Sequence, residues 1–449
     1  MPRKTLIALL LASTLFAAGC ADDGDNPPAP TATPSPVPTF TPTPTTAPSH
    51  TAVPPATATA TSTATATATA SATPTPTSTA TSTSTASATP RADLVVAVDP
   101  ALFEELNDVG LGKYLGRDVP EPTMESGWLR YDFAAQDEGP ICLYGTPYRV
   151  YVRPGTSRNV LFYLEGGGAC WNSDNCWVST RAKLDSAPIL PLTILRAGVF
   201  GPNPAFNPMH DWSVVYVPYC DGSVFTGDNI ADYPRGRVWH RGLSNLSTAT
   251  DVMRANFPDP GRIVVSGSSA GGFGTFSGYG VMRLAYPAKE ILVLNDSGPG
   301  VQKNDDPQAL ADRRENWGFE QFRPPSCAAC SVQPAFITNW AMDLDPVLRA
   351  SFFSTLQDDV IRGFLDLSGP EYEELLLAVT DQIVASDPDR VKRFMVADEF
   401  HTILIGGGIG NSGVAADYRT LAVNGTSLPT WIKEFLADGP GWTDLIDGR

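Results

Sequence analysis

Along residues 92–449, short apolar runs alternate with longer amphipathic stretches. The runs at Tyr148–Val152, Val160–Leu164, Ser213–Pro218, Arg262–Ser266 and Ile291–Leu294 are rich in β-branched and aromatic side chains, and their shortness predicts buried strands. Apolar positions at helical spacing predict helices at Leu243–Asn256, Thr275–Leu284, Gln308–Trp317 and Tyr372–Val384. Such alternation specifies an α/β fold with a mainly parallel central sheet, helices on both faces and ligands at the carboxyl ends of the strands. The pattern contains no internal repeat, no coiled coil and no apolar run long enough for a mature membrane-spanning helix.

One strand ends in chemistry. Arg262 to Ser266 runs into Gly267-Ser268-Ser269-Ala270-Gly271, a Gly-x-Ser-x-Gly placed between a predicted strand and a predicted helix. That context is what a nucleophile elbow requires: small flanking residues let the backbone turn sharply, so that the hydroxyl of Ser269 stands above the sheet. The alternative, a glycine-rich surface turn, does not explain the strand before it and the helix after it. The sharper form of the fold is therefore α/β-hydrolase-like.

A serine hydroxyl needs a positioned base, and histidine has the suitable pKa. The sequence holds four histidines. His50 lies in a low-complexity segment. His210 and His240 precede Ser269, whereas the order in this fold is serine, acid, histidine. His401 remains, after the strand-like run Arg393–Ala397. The acid must lie between Ser269 and His401 to fix the imidazole tautomer. Spacing favours Asp343, delivered by the apolar run Phe336–Met342 read as a strand end, with Asp296 as its rival and Asp345 two residues further on. Oxyanion donors are expected from the amide of Ala270 and from the glycine run Gly166-Gly167-Gly168 after the Val160–Leu164 strand. A phosphate cradle is the other reading of three glycines, but the lysine and Ser/Thr of a P-loop are missing.

The start of the chain has a different character. Arg3 and Lys4 precede an apolar run, Leu6–Ala18, too short to span a bilayer, so residues 1–19 read as an export signal of lipoprotein type with Cys20 as the lipid-modified residue. The competing reading is an ordinary cleavage site with an incidental cysteine. Residues 20–91 are mostly Thr, Ala, Pro and Ser, uncharged from Asn26 to Pro90, and cannot bury enough apolar surface to offset the entropy of ordering. They form a disordered linker, roughly 200 Å long if fully extended, that tethers the esterase-like domain 92–449 to a bacterial membrane or cell surface.

Charge and cysteine refine this picture. The first 91 residues carry three basic side chains (Arg3, Lys4, Arg91) and three acidic ones (Asp22, Asp23, Asp25), so the net charge of −17 belongs to the domain. That balance argues against nucleic acid and against any partner bound mainly through its own negative charge. Setting Cys20 aside leaves six cysteines in an exported chain, an expected set of disulfides. Cys170–Cys176 and Cys327–Cys330 are local pairs that would leave Cys142 with Cys220, although six cysteines permit fifteen connectivities. Zinc at Cys327-Ala-Ala-Cys330 lacks further Cys or His at motif spacing, so no metal is expected.

With these pieces placed, the sequence resembles the pectin acetylesterase family, which includes the animal carboxylesterase Notum. The matching stretches are Phe162–Gly168, Tyr219-Cys220-Asp221-Gly222-Ser223-Val224-Phe225-Thr226-Gly227-Asp228, His240-Arg241-Gly242, Gly267–Gly271 and Asn295-Asp296-Ser297-Gly298. The resemblance implies a serine esterase acting on an O-acyl, in the first instance O-acetyl, ester, with an acylated polysaccharide as the implied substrate and without metal or organic cofactor. It implies Asp343 as the acid, His401 as the base, and Gly166 and Gly167 as oxyanion glycines. Ala169 stands where plant members place tryptophan, which implies an acyl pocket of different width. A catalytically inactive carbohydrate-binding or adhesion protein on the same scaffold, and a deacylase of longer lipid chains, are the alternative functions.

Overall fold

The computed structural model describes residues 98–449 apart from 179–181, 189–191, 193–194, 304–306 and 411–412, all within the second of the chain's two units, Ala86–Arg449. The expected export signal, Cys20 and the linker 20–91 lie outside the described residues.

The described chain begins with α1 (Pro100–Asp108), β1 (Thr123–Glu125), β2 (Trp128–Phe133) and β3 (Tyr148–Arg153). Then come β4 (Val160–Leu164), α2 (Ser173–Trp177), β5 (Ser213–Val217), the hairpin of β6 (Asn229–Tyr233) and β7 (Gly236–His240), α3 (Gly242–Asn256), β8 (Arg262–Ser268), α4 (Ala270–Ala285) and β9 (Glu290–Asp296). The C-terminal part adds α5 (Pro307–Trp317), α6 (Ile337–Leu344), β10 (Arg349–Thr355), α7 (Asp359–Leu365), α8 (Gly369–Ser386) and β11 (Val391–Val396). Two small hairpins, β12 (Gly407–Gly410) with β13 (Gly413–Asp417) and β14 (Ala422–Val423) with β15 (Thr426–Ser427), precede α9 (Leu428–Ala437) and β16 (Leu445–Ile446).

Ten strands share one sheet in the order β1-β2-β3-β5-β4-β8-β9-β10-β11-β16. Every neighbouring pair from β5 to β16 is parallel, and β1 to β3 complete one edge in antiparallel fashion. This is the mainly parallel, α/β-hydrolase-like sheet expected from the alternation of runs. The two-residue period of a strand sends Val160, Phe162 and Leu164 to one face and Leu161 and Tyr163 to the other. Helices α3, α4, α6 and α8 cover the first face, while α9 and loop-borne Phe200 and Met209 cover the second. Both faces are buried, which is why the central strands are continuously apolar rather than alternating.

Two segments depart from the expectation. The run Phe336–Met342 forms the N-cap and first six residues of the helix α6, because Thr338, Ala341 and Met342 fall at i, i+3 and i+4 and form its buried face with Trp340. Strand β10, which the pattern did not single out, is buried at all seven positions although it carries Arg349, Ser351, Ser354 and Thr355. Those polar groups have partners: the indole N–H of Trp442 donates to Ser351 at 3.0 Å, and Thr355 Oγ1 donates to the Phe400 carbonyl at 2.7 Å.

Disulfides join Cys142 to Cys220, Cys170 to Cys176 and Cys327 to Cys330. The first spans 78 residues and ties the β2–β3 connection to the end of β5. Removing so long a loop closure from the unfolded chain is worth roughly 4 kcal/mol in the chain-entropy account. Among the described residues no helix is long and apolar enough to cross a membrane.

Candidate active site

Ser269 sits between β8 and α4 with φ 57° and ψ −121°, a backbone conformation costly for a residue with a side chain. The neighbours make the turn possible. A Cβ on Gly271 would lie 2.0 Å from the Leu164 carbonyl oxygen, and one on Gly267 would lie 2.4 Å from the Gly271 carbonyl oxygen. Only glycine fits either place, so α4 can close directly onto the ends of β4 and β8. The Ser269 N–H donates to the Asp296 carbonyl at 2.8 Å, which fixes the turn against the end of β9.

The expected base lies across the same sheet edge. His401 follows β11 on a loop whose backbone is laced to the loop after β10: Leu356 N–H donates to the Val396 carbonyl at 2.8 Å, Gln357 N–H to Asp398 at 3.1 Å and Asp359 N–H to Glu399 at 2.9 Å. This lacing brings Asp358 to His401. Nδ1 of His401 is 2.7 Å from Oδ2 and 3.0 Å from Oδ1 of Asp358. Asp358 is also the N-cap of α7, its Oδ1 accepting the N–H groups of Val360 at 3.1 Å and Ile361 at 2.9 Å, so its carboxylate is aimed by the helix start. With Asp358 holding the Nδ1 proton, the lone pair falls on Nε2, which is buried without a hydrogen-bond partner among the described residues. Burial is the largest influence on His401 and favours the neutral ring. The charge and hydrogen bond of Asp358, with the charges of Asp296 and Asp359, outweigh it and raise the pKa above the ordinary 6.5.

The acids favoured by spacing do other things. Asp343 is exposed on α6, opposite the helix's buried face, and does not meet His401. Its assignment as the histidine's partner is corrected to Asp358, and the cause is the misread run Phe336–Met342, which is a helix rather than a strand delivering a carboxylate to the sheet edge. Asp345 accepts from Arg283 Nη2 at 2.6 Å and from the Tyr279 hydroxyl at 2.7 Å, a fully buried pair beneath α4. Asp296 accepts from the Ser268 hydroxyl and from backbone amides beyond His401. Asp358 did have a sequence signal: Asp358-Asp359 follows an apolar run and opens a helix, the place of an N-cap. Strand β10 hid it, since its buried hydroxyls lower the hydropathy of the run.

The glycine loop after β4 reaches the same place. A Cβ on Gly166 would stand 3.0 Å from Ser269 Cβ and 2.7 Å from the Ser268 carbonyl oxygen, so only glycine lets the loop lie directly on the elbow. Gly167 packs against Tyr219, and its carbonyl accepts the Lys183 N–H at 2.7 Å. Gly168 and Ala169 line a cavity of about 240 Å³ together with Ser269 and Ala270, whereas Gly166 and Gly167 are not part of its wall. The rest of the wall is largely apolar, including Trp171, Phe273, Phe276, Trp340, Phe364 and Leu365.

Histidines 210 and 240 stay outside this arrangement. His210 is exposed. His240 is fully buried, with Nδ1 3.0 Å from the Asp221 carbonyl and Nε2 3.1 Å from the Tyr233 hydroxyl, and burial lowers its pKa to about 4. It approaches Cys170 and Cys176, the one grouping of metal-ligand residues among those described, but the two sulfurs are joined to each other and are not thiolate ligands.

The pectinacetylesterase family model matches residues 133–312, which include the glycine loop, Ser269 and Asp296 and stop before Asp358 and His401. The chain is 29% identical over 153 residues to pectin acetylesterase 4 of Arabidopsis thaliana, covering 33% of this chain and 37% of that protein. It is 28% identical over 167 residues to palmitoleoyl-protein carboxylesterase notum1' of Xenopus laevis, covering 35% and 34%. The matched segment spans about a third of the length of these curated relatives. In structure the chain is similar to the Wnt deacylase Notum from Drosophila, with a TM-score of 0.53 and 18% identity over 71% of this chain and 95% of that one. Residues 133–312 thus match the pectinacetylesterase family model and are similar both to a plant pectin acetylesterase and to a Notum carboxylesterase, on an α/β-hydrolase-like fold similar to that of Notum.

Proposed function

We propose that this protein is a serine carboxylesterase whose triad is Ser269, His401 and Asp358. The observation that carries the reading is the state of His401: Nδ1 is held by a buried carboxylate at 2.7 Å, and Nε2 is buried with no hydrogen-bond partner among the described residues. Nε2 takes the hydroxyl proton as Ser269 Oγ attacks the ester carbonyl. The resulting imidazolium, stabilised by Asp358, returns that proton to the departing alkoxide. An acyl-enzyme remains, and water activated by the same nitrogen releases the carboxylic acid and frees Ser269. Oxyanion charge is taken by the amide of Ala270 and by the glycine loop at Gly166 and Gly167, which lies directly on the elbow, where a Cβ on Gly166 would stand 3.0 Å from Ser269 Cβ.

The acyl group is read from the cavity. A volume of about 240 Å³ walled by aromatic and aliphatic side chains exceeds what an acetyl group fills, and it favours an apolar acyl chain longer than acetate. The relatives' names cover both extremes, acetyl on pectin and palmitoleoyl on protein. In this reading residues 1–19 direct export, Cys20 carries the lipid and residues 20–91 tether the domain, a setting in which three disulfides persist.

The test is hydrolysis of p-nitrophenyl acetate, butyrate, octanoate and laurate by the full chain and by Ser269→Ala. Turnover that rises beyond acetate and vanishes in the variant is expected. Equal rates in both proteins overturn the esterase reading, an optimum at acetate restores the acetylesterase, and glycan binding without turnover favours the inactive carbohydrate-binding alternative.

A further inference from the structure

Asp296 is a fully buried carboxylate at the end of β9 with no part in the chemistry described above, yet it touches both halves of the site. Its main-chain carbonyl accepts the N–H of Ser269 at 2.8 Å. Its Oδ2 accepts the N–H of Ile403 at 3.1 Å and of Leu404 at 3.0 Å, and its Oδ1 approaches Ile403 N at 3.2 Å. The next residue completes the grip, since Ser297 Oγ accepts the N–H of Thr402 at 3.1 Å. Three successive amides after His401 are therefore held by two successive side chains. Thr402 has φ 57°, an unfavourable conformation for a β-branched residue that the surrounding hydrogen bonds must sustain.

We propose that Asp296 is a positioning residue that sets the separation of Ser269 and His401, holding the elbow through its carbonyl and the histidine loop through its carboxylate. The inference rests on the esterase reading. The hydrogen bonds fit an ionised carboxylate, which only accepts: the Tyr163 hydroxyl donates to Ser268 Oγ at 2.6 Å, and the Ser268 hydroxyl donates in turn to Asp296. The charged or titratable groups that face His401 are Asp358, Asp359 and Asp296; those that face Asp296 are His401 and Tyr163. Each of the three carboxylates favours the imidazolium.

Asp296→Asn keeps the shape and an oxygen for the loop amides while removing the charge. Steady-state kinetics on the preferred p-nitrophenyl ester should show kcat falling about 10- to 100-fold with KM nearly unchanged, the signature of lost alignment rather than lost binding. The acidic limb of kcat/KM should move to lower pH, because a carboxylate that favoured the imidazolium is gone. Unchanged kcat and an unmoved limb, alongside an inactive Ser269→Ala, overturn the proposal; so does a fall in kcat matched by a loss of thermal stability with the limb unmoved, which makes Asp296 a fold support only. An active Ser269→Ala overturns instead the esterase reading beneath it. If Asp296→Asn does not fold, Ser297→Ala carries the test: freeing the Thr402 amide should lower kcat about 3- to 10-fold at constant KM, and wild-type kcat there overturns the proposal.

Discussion

The β8–α4 turn and the β10–α7 turn both place a side chain of the proposed triad at the carboxyl edge of one sheet, but they are built by opposite means. At the first, sterics decide: Gly267 and Gly271 are places where no Cβ fits, and Ser269 is forced to φ 57°. At the second, hydrogen bonding decides: Asp358 caps α7 and holds His401, with no glycine and no left-handed backbone in Leu356–Asp359. A turn specified by excluded volume leaves a fixed signature of small residues. A turn specified by a side-chain cap leaves one Asp among many.

The contrast can be broken most forcefully by exchanging the acids. Asp358→Asn retains a good N-cap residue but lacks the charge that holds the histidine in the required tautomer, so kcat/KM for ester hydrolysis should fall about 10³- to 10⁴-fold. A smaller drop, within about tenfold, would mean that another group orients His401. The next largest effect is on folding. Gly271→Ala should cost more than about 3 kcal/mol in denaturant unfolding or prevent folding, since the clash is with the Leu164 backbone and nothing flexible can yield. Asp358→Asn should cost at most about 1 kcal/mol, since the asparagine oxygen can still serve the cap and the His401 Nδ1–H. That split, stability at the elbow against chemistry at the cap, sharpens the distinction between the two turns.

A subtler effect is on pH. The pKa of His401 is raised above 6.5, and the reactive form is the neutral ring, so kcat/KM should decline as pH falls through a value above 6.5. Asp358→Asn should move that limb downward in whatever activity remains, because the lost carboxylate stabilised the charged ring. Smallest of all is Asp343→Asn, an exposed position on α6 where kcat/KM should stay within about twofold of wild type.

Much of this was legible in the sequence because the central strands are buried on both faces and read as unbroken apolar runs. Ser269 could be found from its glycines, and His401 from the scarcity and order of histidines. Asp358 could not, for two reasons. Strand β10 spends Ser351, Ser354 and Thr355 on positions that are fully buried, so hydropathy understates it. The run Phe336–Met342 has the composition of a strand, and only the spacing of Thr338, Ala341 and Met342 shows the helix that turns Asp343 to solvent. The glycine loop beside the elbow was legible as a loop after an apolar strand, but three consecutive glycines carry no internal landmark. Its closeness to the nucleophile shows only in three dimensions, where a Cβ on Gly166 would stand 3.0 Å from Ser269 Cβ.

The most direct measurement is covalent trapping with a serine-reactive fluorophosphonate, with the adduct located by peptide mass spectrometry and its rate of formation compared among wild type, Asp358→Asn and Asp343→Asn. The account predicts a single adduct on Ser269, formed at the wild-type rate in Asp343→Asn and far more slowly in Asp358→Asn. An unlabelled Ser269, or a rate that collapses in Asp343→Asn and survives in Asp358→Asn, would contradict it.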